Sequence, residues 1–335
     1  MALKQEIVKL YTEESLPALV WLLSASYLCS LLANYFWAFD LFSHFLTQYC
    51  FAGLFFGASF IALKQYKYAA LALCIAALSF CESRMNLQHP LQFFPPVNIT
   101  AQSVKLVQYN HNVAKRDFED VKAWLTENAK TFDIIVLQEA SIKTVELATS
   151  LNNIYPYQIH EPRAHAFGTV IISRHPIMEH SRIDFSGAVV ENFVIRAAID
   201  IPGVNEPLIL YALHAIPPTG RPLFKQRNDE ILEAGKIISK DTSHYIAMIG
   251  DWNVTPYSPF FTKLLDLSGL NYQAKGLFLN PSWPSVPVYY FLKIPIDHVL
   301  YSDSMQFLDK VVASNFGSDH NAVITTLGFF GNAGN

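Results

Sequence analysis

Residues 83–335 contain no cysteine; all four, Cys29, Cys50, Cys74 and Cys81, fall within the first 82 positions. The larger part of the chain therefore has no internal disulfide available and folds on core burial alone, which its length permits. A cysteine-free domain suits an oxidising space, although many domains of reducing compartments lack cysteine as well. Charge is also scarce. Asp, Glu, Lys and Arg make up 16% of the 335 residues and the formal net charge is −4, so there is no basic footprint of the kind that drives tight non-specific nucleic-acid binding. No glycine-rich phosphate loop is present, and no repeat of fixed period is visible.

Apolar sequence is what abounds, at 51% of residues, and it is concentrated at the front. Leu16 to Ala38 and Leu41 to Leu63 each reach the roughly 20 residues that a helix needs to cross a bilayer core. Tyr68 to Cys81 is shorter and reads as a third span, with Lys67 snorkelling to the interface. A cleaved signal peptide fits the first segment poorly, because Glu13 and Glu14 precede it and two more apolar segments follow. Lys4 and Lys9 lie before the first span and Lys64 and Lys67 between the second and third, while the loop around Asp40 has no basic residue. With both lysine pairs in the cytoplasm, three crossings put the C-terminal domain outside and two would put it inside. Gly53-Leu54-Phe55-Phe56-Gly57 has the small-xxx-small spacing for close helix contact, read here as packing within the chain.

The expected organisation is a membrane anchor over 1–82, a linker over 83–102, a catalytic domain over 103–328 and a tail over 329–335. The linker carries three prolines and an Asn98-Ile99-Thr100 glycosylation pattern. From Val104 onward, strand-like runs (104–109, 133–138, 168–173, 193–199, 208–213, 245–250, 296–301, 322–326) alternate with helical windows (118–128, 144–151, 224–238, 259–267). This is an α/β pattern of packed sheets covered by helices.

Polar residues gather at the ends of those strands: Tyr109-Asn110-His111-Asn112, Leu137-Gln138-Glu139, Leu213-His214-Ala215, Gly250-Asp251-Trp252-Asn253, Ile296-Asp297-His298 and Gly317-Ser318-Asp319-His320. Taken singly, a Glu at a strand end is a solvated cap and Gly-Asp-Trp-Asn is a turn. Taken in this order, with Gly168–Ile177 and Leu213–Pro218, the set resembles the endonuclease/exonuclease/phosphatase superfamily, the fold group of pancreatic deoxyribonuclease, over about residues 103–328. The stretch from Ser268 to Trp283-Pro284 is similar to bacterial, membrane-anchored members with three N-terminal spans.

The resemblance implies a four-layer α/β/β/α sandwich preceded by an all-α segment of three transmembrane helices. It also implies Mg²⁺, with Mn²⁺ as a possible substitute, held by Glu139, Asn112 and Asp319; hard cations of this kind favour oxygen ligands. Some relatives carry Asp where Asn112 stands. Catalytic roles fall to His214, Asp251, Asn253, Asp297 and His320, and phosphate contact to Asn110, His214 and Asn253. Asp297 would fix the tautomer of His320, which would serve either as general base or as an imidazolium facing the phosphoryl group. Asp251 and Asn253 would orient the water. By strand alternation His111 and His298 point away from the site. Arg221, Lys225 and Arg227 form a basic group that reads as a solvated helix face or as a contact to anionic head groups.

The function expected is a membrane-anchored, metal-dependent phosphoester hydrolase, a phosphodiesterase or phosphatase of unassigned substrate, with lipid head groups slightly ahead of nucleic acid. Its partners are a phosphoester substrate (lipid head group or nucleic acid) and the bilayer. The location implied is the bacterial inner membrane with the domain facing the periplasm. An extracytoplasmic nuclease is the alternative, and a catalytically silent binding module the second; competent residues at Glu139, Asp251 and His320 argue against the latter.

Overall fold

The computed structural model describes residues 15–85, 102–273 and 275–330; most of the 83–102 linker, with its Asn98-Ile99-Thr100 pattern, lies outside them, as do Lys4, Lys9 and most of the tail. The chain divides into two compact units. One takes in the N-terminal helices together with Thr255–Thr262, a segment the sequence reading placed wholly in the catalytic domain. The other takes in the rest of the polar region.

The helical unit consists of α1 (Leu16–Leu31), α2 (Trp37–Ser43), α3 (Leu46–Ala62) and α4 (Tyr66–Met85). Of these, α4 alone is long and apolar enough to cross a membrane; α2 and α3 pass only as one span bent by 60°, and α1 is a shorter apolar helix. The described helices therefore supply one or two span candidates where three were expected. The segment expected to be the shortest forms the longest helix, because helical geometry runs on through Glu82, Ser83 and Arg84 beyond the apolar stretch. Gly53 and Gly57 bring α3 against α4. A Cβ on Gly53 would stand 2.6 Å from the Ala72 carbonyl oxygen, and one on Gly57 2.5 Å from Leu73. Within this same unit a polar cluster forms: Ser258 donates to Asp40 Oδ1 at 2.6 Å, His44 Nδ1 meets Thr255 Oγ1 at 3.0 Å, and Thr47 Oγ1 meets the Tyr257 hydroxyl at 2.5 Å.

In the second unit, two mixed sheets with flanking helices make an α/β sandwich. The first sheet runs β10-β11-β1-β2-β4-β3, from β1 (Gln102–Asn110), β2 (Ile134–Gln138), β3 (Tyr157–Glu161), β4 (Thr169–Ser173), β10 (Met305–Val312) and β11 (Val323–Phe329). The second runs β5-β6-β7-β8-β9, from β5 (Ile177–Asp184), β6 (Phe193–Ile199), β7 (Leu208–Leu213), β8 (Tyr245–Asp251) and β9 (Asp297–Tyr301). The β1–β2 and β7–β8 pairs are parallel and the rest antiparallel. The three strands that the sequence did not announce, β3, β5 and β10, are all edge strands. With only one neighbour, an edge strand needs no continuous apolar run, and β5 is exposed or half-buried along its whole length.

Strand alternation decides what faces the interior. Val104 and Leu106, Ile134 and Val136, Leu208, Leu210 and Ala212, Tyr245, Ala247 and Ile249, and Val299 and Tyr301 fill the space between the sheets. The opposite parity, Val107, Tyr109, Ile135 and Leu137, packs under α5 (Glu119–Glu127) and α6 (Ile142–Ser150). On the second sheet, β6 and β7 meet the end of α7 (Arg221–Ile238) through Arg196 and Tyr211, which both reach Asp241. Helix α8 (Pro259–Ser268) lies against α7 at Gly235, where an added Cβ would stand 3.1 Å from Leu264.

Gly53→Ala is expected to destabilise the helical unit by about 1–3 kcal/mol, because the added methyl meets backbone rather than a yielding side chain. A lowered unfolding midpoint in detergent is the readout; an unchanged midpoint would mean that α3 and α4 do not pack through this face.

Candidate active site

The inward parity of the strands continues past the apolar core to their ends, and there it carries polar residues. Gln108 and Asn110 follow Leu106 on β1, Gln138 follows Val136 on β2, Asp251 follows Ile249 on β8, and Asp297 precedes Val299 on β9. Since β9 runs antiparallel to β8, its first residue pairs directly with the last of β8, Asp297 with Asp251. Residues 189 positions apart thus meet: Gln108 Nε2 donates to Asp297 Oδ1 at 2.7 Å and to Gln138 Oε1 at 2.7 Å. Gln138 Oε1 in turn accepts from the Asp251 N–H at 2.8 Å, and Gln138 Nε2 donates to the Leu213 carbonyl at 2.8 Å. The approach is so close that Gly250, at φ +151°, admits no side chain; a Cβ there would stand 1.8 Å from the Leu213 carbonyl oxygen.

Asp251 is the centre of the cluster. Its Oδ2 accepts from Asn110 Nδ2 at 3.1 Å and lies 3.6 Å from His214 Nε2 and 3.5 Å from His320 Nε2. Behind His320, Nδ1 meets Asp297 Oδ2 at 3.1 Å. The Ala166 carbonyl faces His214 Nδ1 at 3.1 Å; a carbonyl only accepts, so that nitrogen carries a proton and leaves Nε2 toward Asp251. Asn253 N donates to Asp251 Oδ1 at 3.0 Å, while its side-chain nitrogen is given to the Ala215 carbonyl at 2.9 Å. Asn253 thus shapes the loop around Asp251.

Burial dominates the electrostatics. It pushes the Asp251 carboxyl up to about 6, with the His320 charge lowering it and the Asp297 carboxylate raising it further. Burial alone would depress His320, but the carboxylates of Asp297, Asp251 and Asp319 reverse this and raise the imidazole to about 10. Asp297, for which burial works against ionisation, is nonetheless held below its usual range by His320. Lys310, 2% exposed, donates to the Asp297 carbonyl at 3.1 Å, and burial lowers its ammonium to about 8. The site therefore holds an imidazolium between two carboxylates.

Asp251, Asp297 and His320 bring three ligand atoms within 4.8 Å of one another. The His320 charge lies between the two carboxylates and all three groups are buried, which suits proton management better than a hard cation that keeps water in its shell. The carboxylates of Glu139 and Asp319 differ. Among the described residues, hydrogen bonds to Glu139 come from neutral donors, Asn110 Nδ2 at 3.1 Å and the Val113 N–H at 2.6 Å. Those to Asp319 come from Asn112 Nδ2 at 3.0 Å, the Trp283 indole at 3.1 Å and the Ser318 hydroxyl at 3.5 Å. Burial opposes ionisation of Asp319, yet the Asn112 amide, His320 and Trp283 together keep it below its usual range. Two anionic oxygen donors served by neutral groups fit a divalent cation. Asn112, whose Oδ1 accepts from the Ala114 N–H at 2.9 Å, spends both ends of its amide on positioning. Asn112, Glu139 and Asn253 all adopt left-handed backbone, with φ of 65°, 60° and 51°. Asn tolerates that conformation, whereas Glu139 is strained there.

Every residue expected at the site is thus brought to the same sheet ends, Glu139 joining through Asn110 and Asp319 through Asn112. His111 and His298 turn away: His111 Nε2 meets Thr144 Oγ1 at 2.9 Å, and His298 Nε2 meets the Val254 carbonyl at 2.7 Å. Arg227 is fully buried and clamps the Asn253 carbonyl at 2.7 Å, so it belongs to no solvated face, whereas Lys225 remains exposed beside Asp229. Gln108, Gln138, Trp283 and Lys310 received no role from the sequence. The signal for the two glutamines was there: a polar side chain on the inward face of an otherwise apolar strand.

Because folded His320 holds its proton more tightly than the unfolded chain, its contribution to stability is full below the ordinary 6.5 and fades as pH rises through about 10. Asp297, held low, contributes above its ordinary 3.8 and loses that contribution as acid protonates it. In metal-free protein, NMR titration of the His320 ring should give a midpoint near 10, and Asp297→Asn should bring it down toward 6.5. A midpoint indifferent to Asp297→Asn would deny the pairing.

Comparison with known proteins identifies the fold and the family. Residues 107–320 match the Endonuclease/Exonuclease/phosphatase family. No curated protein sequence matches. A solved endonuclease/exonuclease/phosphatase from Beutenbergia cavernae DSM 12333 superposes with a TM-score of 0.58 at 18% identity, over 69% of this chain and 72% of that one. A humanised TDP2 of D. rerio gives 0.56 at 14%, over 67% and 98%. A family protein from Bacteroides thetaiotaomicron gives 0.53 at 15%, over 68% and 97%. These likenesses establish the fold, and the family match spans well over half of the sequence: this chain belongs to the endonuclease/exonuclease/phosphatase family and is a phosphoester hydrolase.

Proposed function

We propose that this protein is a membrane-anchored, Mg²⁺-dependent phosphodiesterase or phosphatase acting on lipid head groups, with Mn²⁺ able to substitute. The observation that carries the reading is the convergence of Asn110, His214 and His320 on one oxygen of the buried Asp251, with Asp297 behind His320. Glu139 and Asp319 would hold the cation, which supplies Lewis-acid charge next to the phosphoryl oxygens. Asn112 steers Asp319. His320, kept protonated by its two carboxylates, donates to the phosphoryl group as an imidazolium, which favours the second of its two expected roles. Asp251 orients the attacking water and accepts its proton. His214 donates toward the phosphate and the leaving oxygen, and Asn110 contacts the phosphate while spanning Glu139 and Asp251. An open cavity of about 360 Å³ lined by Arg116, Lys143 and Arg163 begins at Ser141, two residues beyond Glu139, and favours an anionic substrate larger than the reacting phosphate.

For location, α4 is the element that decides. Lys64 precedes it and Lys67 lies in its first turn, while Arg84 is its basic residue at the far end. With the lysine end of α4 in the cytoplasm and α4 as the last crossing, the catalytic unit would face outside, into the periplasm of a bacterial inner membrane. A reporter enzyme that works only outside the cytoplasm, fused at the C-terminus, should be active; silence there with full expression would place the domain inside.

Full-length protein in detergent with Mg²⁺ should turn over a lipid phosphodiester, and Glu139→Ala or His320→Ala should each cut the rate by about a hundredfold or more. Plasmid DNA and RNA belong in the same panel, since a solved D. rerio TDP2 of this fold holds a single-strand DNA product. Preferred cleavage of nucleic acid would install the nuclease alternative. Equal turnover by wild type and both variants would remove the proposed site.

A further inference from the structure

Just before Asp297 the chain forms a short 3-10 turn, Pro287–Leu292, in which no side chain is buried. Phe291 is 86% exposed, Val288 77% and Tyr290 66%, and Val286, Tyr289 and Leu292 are between 41% and 50% exposed. Soluble surfaces rarely leave so continuous an apolar run in water without a use for it.

Both feet of this turn stand on the segment that carries Asp319 and His320. At the first foot the Ser285 N–H donates to the Asp319 carbonyl at 2.8 Å, and its hydroxyl donates to the Ser318 carbonyl at 2.6 Å. At the second, Lys293 Nζ donates to Asn321 Oδ1 at 2.9 Å. Just outside the feet, Trp283 and Ile294 form a β-bridge that closes the base of the turn, and the Trp283 indole donates to Asp319 Oδ2. The exposed tip is therefore fastened beside the site.

We propose that residues 286–292 are a lipid-seating lip, whose tip enters the interfacial zone of a bilayer and presents the Asp251–His320 cleft to phosphodiester head groups. This rests on the hydrolase reading and makes its substrate a membrane-resident one. The composition selects the occupant. Aliphatic Val286, Val288 and Leu292 beside Tyr289, Tyr290 and Phe291 match the mixture that settles at a lipid–water boundary. Nucleic-acid stacking would instead set its aromatics in a cationic groove, and the lip carries one cation, Lys293, drawn over the Tyr290 ring and bonded to Asn321. A cation at the base of an apolar tip complements anionic head groups. The same chain holds a helix able to cross a membrane, so a lipid surface is within its reach.

Full-length Phe291→Trp, reconstituted in phosphatidylcholine–phosphatidylglycerol vesicles with brominated acyl chains, tests this directly. The fluorescence added by the new indole, taken as the difference from wild type, should be quenched relative to unbrominated vesicles; an unquenched difference overturns the lip. In a second arm, the double variant Tyr290→Ser, Phe291→Ser should lose roughly tenfold or more of its turnover of a vesicle-borne phosphodiester lipid, while bis(p-nitrophenyl) phosphate turnover is kept. Equal losses on both substrates, or no loss on either, overturn it. If wild type hydrolyses neither compound, the hydrolase reading fails, and the quenching still decides whether the lip meets lipid.

Discussion

Two carboxylates sealed between apolar sheets set the terms for everything around them. Asp251 and Asp297 are 1% and 0% exposed and face each other across paired strands, an arrangement that water cannot relieve. Buried anions persist only with compensating charge and hydrogen bonds. His320 supplies the charge to both, Lys310 adds a second cation near Asp297, and Gln108 joins the two carboxylate-bearing strand ends through Gln138. The network that makes the acids tolerable is the same one that keeps the His320 imidazole charged.

Its rigidity comes from where it is built. The inward side chains at the ends of β1, β2, β8 and β9 continue the rows that form the inter-sheet core, so their backbones are held by strands buried on both faces. The flexible parts of the constellation are tied back to those strands. Ser318 donates to the Asn110 carbonyl at 2.8 Å, Arg227 holds the Asn253 carbonyl, and Val113 reaches Glu139 through its N–H. Left-handed backbone at Asn112, Glu139 and Asn253 turns each chain sharply out of its strand and into the cleft.

The helical unit follows a different logic. Its contacts are made by small residues that let α3 and α4 approach, as Gly53 against Ala72 shows, and by a few polar groups that find partners on the 255–258 segment. The Gly-xxx-Gly spacing was legible in the sequence. The adoption of Thr255–Thr262 by this unit was not, because Thr-Pro-Tyr-Ser reads as an ordinary turn and nothing local signals a partner more than two hundred positions away.

Period-two alternation determined, from the sequence by itself, the α/β class and the core strands, and the ordered polar strand ends marked the candidate residues from Asn110 to His320 through their resemblance to a known family; both signals are local, and each residue's face follows from its neighbours. The edge strands β3, β5 and β10 escaped because one-sided pairing leaves no apolar run to read. Helix lengths in the N-terminal helical unit escaped because hydropathy marks apolar residues, whereas hydrogen bonding along α4 continues through Glu82 and Arg84. Tertiary structure alone decided which acid sits beside which imidazole, that Arg227 is a buried clamp, and that Gln108 and Lys310 serve Asp297. Those assignments depend on pairing between strands far apart in the chain and on the low dielectric that pairing creates, and no stretch of sequence contains either.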